Sequence, residues 1–220
     1  MAGQFTPRLE TRLAKEALYR QRVLDSAEHV FSARSYEDAK IQDIARGAGI
    51  ALGTMYTVVE GKWEIYCAVH ERRMAEMFEV LRSALTNAED AEGALLNGAE
   101  ATVRWFAEHR SYLRMHLQQG LDWATATGLA SEEQLRAWSR GLEMARQQIE
   151  RAKLEGTFVD MDTKVAAMLL AATYRVYLQA WLELDGAQSV GELLEALRAQ
   201  LTRSFFCPTR TAVKSDEGPR

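Results

Sequence analysis

Apolar residues recur along most of the chain at the spacing of helices that pack one face on a core. Val23, Leu24, Ala27, Val30 and Phe31 form one such stripe and predict a first helix over residues 11–33. Two short apolar clusters follow, Ile41/Ile44/Ala45 and Ile50/Met55. Ile65, Tyr66, Val69, Met74, Met77, Phe78 and Leu81 predict a long helix over residues 62–85. The pattern breaks at 87–92, and helices are predicted at 91–108, 110–121, 131–155, 163–185 and 189–206. Short polar residues and glycines mark the ends. Ser131 precedes Glu132 and Glu133 as an N-cap with first-turn acids, Asp162 and Ser189 are further N-caps, and Gly156 and Asp185-Gly186 are stops. The expected fold is therefore all-α with about nine helices. The first ten residues and the tail from Pro208 are polar and aperiodic, and are expected to be disordered.

Composition agrees with this reading. The 220 residues are 47% hydrophobic, enough for a sizeable core, and hold only 3 prolines. Cys67 and Cys207 lie far apart and form no CxxC pair, so neither a zinc site nor a disulfide framework is expected. Free thiols and the lack of an apolar leader point to the cytoplasm. The most apolar stretch, Val165–Leu184, is interrupted by Arg175, Gln179 and Glu183, so no membrane span is expected.

Net charge is −4, but it is unevenly distributed. Residues 1–73 carry eleven Lys/Arg against ten Asp/Glu, and the acidic balance lies in the remainder. Arg8, Arg12, Lys15, Arg20 and Arg22 are concentrated ahead of the first apolar stripe, where they can meet phosphates or simply be solvated.

Residues 41–58 carry the strongest functional signal. Two short helices are joined at Ala48-Gly49-Ile50. Ile44 and Ala45 are placed to face inward, Ala45 being small enough for a close crossing, and Ile50 and Met55 to anchor the second helix. Gly49 supplies the backbone freedom of a tight turn. These are the physical requirements of a helix-turn-helix, whose second helix enters the major groove of DNA. Lys40, just ahead of the first short helix, is within reach of a phosphate.

From Arg22 to Ala68 the chain resembles the DNA-binding domain of TetR-type repressors. The matching pieces are Val23-Leu24-Asp25-Ser26-Ala27, Val30-Phe31, Tyr36-Glu37, Asp43-Ile44-Ala45, Ala48-Gly49-Ile50, Gly53-Thr54-Met55-Tyr56 and Lys62. The resemblance implies a symmetric dimer on a palindromic operator, with a small molecule in the C-terminal domain shifting the spacing of the two reading heads. It places Tyr56 and Lys62 on phosphates, Gly53 where backbones come close, and Gln42 and Thr54 near base edges or phosphates. It also sets the expected domains: an arm over 1–10, the helix-turn-helix domain over 11–68, a ligand-binding and dimerisation domain over 69–207, and a tail over 208–220.

The chain departs from the family at the reading segment. Ser or Thr usually opens that segment, followed by a basic residue or proline; a polar aromatic or histidine and then a phenylalanine usually follow the tyrosine. Here those positions hold Ala51, Leu52, Thr57, Val58 and Val59. Ala51 offers no cap, and Leu52 can act only by apolar contact, for instance with a thymine methyl. Two readings stay open. Binding leans on Lys40, Tyr56, Lys62 and the basic arm, with a steep salt dependence. Alternatively, the reading head is degenerate and the chain is a helical ligand-binding protein.

Enzyme signatures fail. His70-Glu71-Arg72-Arg73-Met74 lacks the second histidine of a zinc-protease motif, no Glu-x-x-His pair occurs, and no P-loop, GxGxxG or GxSxG is present. No catalytic residue, metal or cofactor is expected. The C-terminal half instead holds many large side chains, suited to a small apolar or aromatic ligand. Trp105, Tyr112, His116, Gln119, Trp123, Gln148, Tyr174, Tyr177 and Trp181 are its candidate contacts. The last two helices are expected to form a homodimer through Val165, Met168, Leu169, Ala172, Leu194, Leu197, Leu201 and Phe205, with closure of the monomer core as the alternative.

Overall fold

The computed structural model describes residues 7–118, 131–185 and 187–207. Among them run nine helices: α1 Pro7–Ala33, α2 Ile41–Ala48, α3 Leu52–Met55, α4 Lys62–Thr86, α5 Ala91–Glu108, α6 Arg110–Leu117, α7 Glu132–Leu154, α8 Thr163–Glu183 and α9 Val190–Phe205. The all-α reading holds, and most predicted helix ends fall within two residues of the observed ones. Helix α1 corrects the expected arm: it starts at Pro7, inside the stretch expected to be disordered. A proline is tolerated in a first turn, where its missing N–H would have no partner in any case. Residues 1–6, 119–130, 186 and 208–220 lie outside the described residues.

The caps work through short side chains. Ser131 Oγ accepts from Gln134 N while the Gln134 side chain accepts from Ser131 N. Asp162 accepts from Val165 N, and Ser189 and Glu192 form a reciprocal capping box. Gly156 ends α7 at φ +74°, and Asp185 follows α8 at φ +43°.

The chain divides into two compact units, Met1–Val80 with Trp105–Arg140, and Leu81–Arg104 with Gly141–Arg220. In the first, α1 packs on α2 and α6. Val23, Ala27, Phe31, Ile44, Met55, Ile65 and Val69 are its fully enclosed apolar residues around the short helices. Phe31, Tyr36, Trp63 and Tyr66 form a ring cluster, with Phe31 edge-on to Tyr66 at 5.2 Å. Behind it, His70 Nδ1 lies 2.9 Å from the hydroxyl of the fully buried Tyr112.

In the second unit α8 packs on α9. Leu193, Leu194, Leu197, Leu201 and Phe205 are all buried. This corrects four expected dimer contacts. Leu194, Leu197, Leu201 and Phe205 belong to the protomer's own core, because that face of α9 is the one covered within the chain. Phe158, Phe205 and Phe206 stack beside them, and Val159 N and Cys207 N donate to Phe205 O and Thr157 O, closing the end of α9 on the α7–α8 loop. Helix α8 is long and apolar enough, by length and composition alone, to cross a membrane. Its Ala166, Ala167, Leu170, Leu178 and Trp181 are buried, while Val165, Leu169 and Val176 on the same helix are exposed.

Candidate nucleic-acid interface

Helices α2 and α3 are held from behind by apolar contacts and from the side by one tight approach. Ile44, Ala45, Ala48 and Met55 are buried, while Ile50 is half-buried. The close crossing of α1 and α2 falls on Gly47, where an added Cβ would collide with Ser26 Oγ. Ser26 in turn donates to Ile44 O at 2.8 Å. The turn itself rests on Gly49, at φ 64° and ψ 36°, with Gly49 N and Ile50 N donating to Arg46 O and Ala45 O. That left-handed conformation strongly favours glycine.

With its back fixed, the pair leaves a definite outer surface. Leu52 and Tyr56 are 37% and 54% exposed, and Lys40, Gln42, Ala51, Gly53 and Thr57 are also exposed. Thr54 is half-buried. Space outside Gly53 is open: a Cβ added there would meet no atom within 4 Å. Thr57 Oγ1 donates to Thr54 O at 2.7 Å. Ala51 stands at the N-cap of α3 without a side-chain cap bond, as its lack of a hydroxyl requires.

Lys62 has a different task from the expected one. Its ammonium donates to the carbonyls of Tyr36 at 2.7 Å and of Glu37 and Ala39 at 3.1 Å, and it sits 4.5 Å from the Tyr36 ring centroid. Three protons on three carbonyls leave none for a phosphate in this conformation. The lysine ties the α1–α2 loop to the start of α4. The basic cluster ahead of the first stripe is likewise partly engaged: Arg20 bonds Val58 O at 3.0 Å and Glu64 at 2.7 Å, and Arg12 pairs with Glu16. Arg20 thereby fixes the segment leaving α3, a role its sequence neighbourhood does not signal. Arg46, not singled out from the sequence, is exposed beside Asp43 at 3.3 Å.

The expected ligand contacts divide between the units. Trp105, Tyr112 and His116 belong to the first, where Trp105 stacks on His109 at 4.2 Å and His116 lies 5.1 Å from Phe106. Gln148, Tyr174, Tyr177 and Trp181 belong to the second. Trp181 spends its indole N–H on Gln188 O at 2.9 Å, whereas the buried Gln148 Oε1 accepts no hydrogen bond from the described residues. Burial pushes the Tyr112 and Tyr174 phenols up and the Arg175 guanidinium down. Gln119 and Trp123 lie outside the described residues. A crevice in the second unit, lined by Leu95, Leu96, Ile149, Phe158, Leu170, Leu201, Phe205 and Phe206, is too tight to admit a water molecule and includes none of the expected ligand contacts. Among the described residues, no group of three or more His, Cys, Asp or Glu is arranged to hold a metal ion.

No family profile matches the sequence. The chain is 27% identical over 149 residues to the HTH-type transcriptional regulator SrpR of Pseudomonas putida, covering 66% of this chain and 68% of that protein. It is 45% identical over 56 residues to the HTH-type transcriptional regulator TtgW, also of Pseudomonas putida; that match spans 26% of this chain and 40% of the relative. In fold it is similar to the TetR family regulator PfmR of Thermus thermophilus, at TM-score 0.69 and 23% identity over 83% of this chain and 97% of that one. It is also similar to a protein of Saccharomonospora viridis solved in complex with choline, at TM-score 0.71 and 21% identity over 86% and 98% of the two chains. With this architecture and these relatives, the chain is a helix-turn-helix transcriptional regulator of TetR-like fold.

Proposed function

We propose that the chain is a ligand-responsive repressor that binds a palindromic operator in double-stranded DNA as a homodimer and leaves it when a small molecule binds. One observation carries the reading: α2 and α3 are locked by a glycine turn and a buried apolar back, while Leu52, Gly53 and Tyr56 stand free on the outer side. A helix presented in this way fits the major groove. Lys40, Gln42, Leu52, Gly53, Thr54, Tyr56 and Thr57 form the DNA surface, and Lys62 supports it from behind. The protein acts in the cytoplasm, by binding rather than catalysis; the regulator relatives support this.

The dimer forms through the outer face of α8. Val165, Leu169 and Val176 are 48%, 45% and 64% exposed on it, with Met168 and Ala172 half-buried at the edge. Apolar residues repeating at helical spacing on an uncovered face favour a symmetric partner. The ligand is a small apolar or aromatic molecule held within residues 69–207, and the choline complex of the Saccharomonospora protein supports a small organic effector.

The test is affinity for a duplex enriched by the full chain from a random pool, against scrambled duplex, over a salt series. A specificity ratio well above one should persist as salt rises, while both affinities fall. A ratio near one at every salt concentration would overturn the repressor in favour of a helical ligand-binding protein with a degenerate reading head.

A further inference from the structure

Building on the DNA-binding reading above, we propose that α3 selects its operator through the C5 methyl groups of thymine, with Leu52 as the side chain that sets specificity. From Gly47 to Val59 the chain carries no charged side chain and no side-chain amide. In the major groove, guanine is read by Arg or Lys, adenine by Asn or Gln, and cytosine by Asp or Glu. None of these stands on α3 or on the turns that flank it.

The hydroxyls do not replace them. Thr57 Oγ1 spends its one proton on Thr54 O at 2.7 Å and is left with acceptor capacity only, and Thr54 is half-buried. Tyr56 lies at the far end of the short helix from Leu52, at its C-cap. Leu52 is the first residue of α3 and keeps 37% of its surface exposed. Gly53 beside it adds no obstruction, since even a Cβ built on it would have nothing within 4 Å. An aliphatic side chain brought to the base edges meets one apolar feature that differs among base pairs, the thymine methyl. The nearby cations and amide, Lys40 at the N-cap of α2 and Gln42 and Arg46 on α2, belong to the helix that in this motif crosses the DNA backbone, where contacts hold the protein in register.

The experiment uses the full chain and the enriched duplex. Thymines are replaced by deoxyuridine, which removes only the methyl group, first singly and then throughout. Uracil at one position in each half-site should weaken binding about tenfold, the effect of losing two buried methyls. Replacing that T·A pair with C·G should weaken binding, and 5-methylcytosine there should restore much of the loss. Leu52→Ala, which truncates a partly covered side chain and should lower the melting temperature by only a few degrees without loss of helical content, should bind thymine and uracil duplexes equally. Full affinity on complete uracil substitution, or a thymine preference that survives Leu52→Ala, would overturn the proposal while leaving DNA binding intact. If the chain enriches no sequence at all, both this proposal and the repressor reading fail.

Discussion

Gly49 and Gly53 sit four residues apart and answer to different constraints. Gly49 holds φ at 64°, so any L side chain is strained there; an added Cβ also comes within 2.6 Å of the movable tip of Arg22. Gly49→Ala should cost ~1–2 kcal/mol in urea unfolding. Gly53→Ala meets nothing in the free protein and should not lower stability, yet it should weaken DNA binding by placing a methyl on the reading surface. His70 offers a test of the interior. Burial, with His116 adding to it, pushes its imidazole down to about 3 from 6.5, and the neutral ring contacts Tyr112. Between those pH values the unfolded chain carries a proton that the folded chain refuses. Stability is therefore greatest above 6.5 and falls as pH drops toward 3, by up to about 1.4 kcal/mol per pH unit from this group. His70→Gln should flatten that segment of the stability–pH curve, measured as the difference from the parent protein.

Helix α1 is joined to α4 by a buried charge cluster. Glu28 is almost wholly enclosed; Arg73 donates to it through Nε at 2.7 Å and Nη2 at 3.2 Å, and Arg72 reaches it at 3.4 Å while pairing with Asp25 at 2.6 Å. Glu28→Ala would leave two largely covered guanidiniums facing an empty site and should cost ~3 kcal/mol in chemical unfolding. Glu132→Ala, in the exposed pair with Arg136, should cost under ~0.5 kcal/mol. The contrast shows what sequence can reveal about elements. Ser131, Asp162 and Ser189 act on backbone three residues away, so their caps are legible as local patterns. Glu28 and Arg73 are 45 positions apart, and nothing local announces their pairing. The α9 stripe lies between these cases. Periodicity says that one face is buried, but not whether it is buried by the same chain or by another, and the covering here is internal. For Lys62, the resemblance implied a phosphate contact, but the carbonyls that absorb its protons come from a loop about 25 residues earlier and nothing local announces them. The turn between α2 and α3 was legible because a left-handed turn strongly favours glycine, a preference that acts on the one residue itself.

A repressor of a palindromic operator needs two subunits and two reading heads. Val176 is 64% exposed on α8, so Val176→Arg should leave helical content and melting of the protomer intact while converting a dimer to a monomer by light scattering. Leu197 is completely enclosed, so Leu197→Arg should unfold the chain rather than separate folded subunits. A folded monomer from Leu197→Arg would return α9 to the interface, and a Val176→Arg dimer would move the interface off α8. The decisive measurement is a hydroxyl-radical footprint of the full chain on the enriched duplex. A dimer with two reading heads should leave two protected patches related by a dyad on one face of the DNA, their centres about one helical turn or a multiple apart. A single patch, or even protection along the whole duplex, would contradict the dimeric reader.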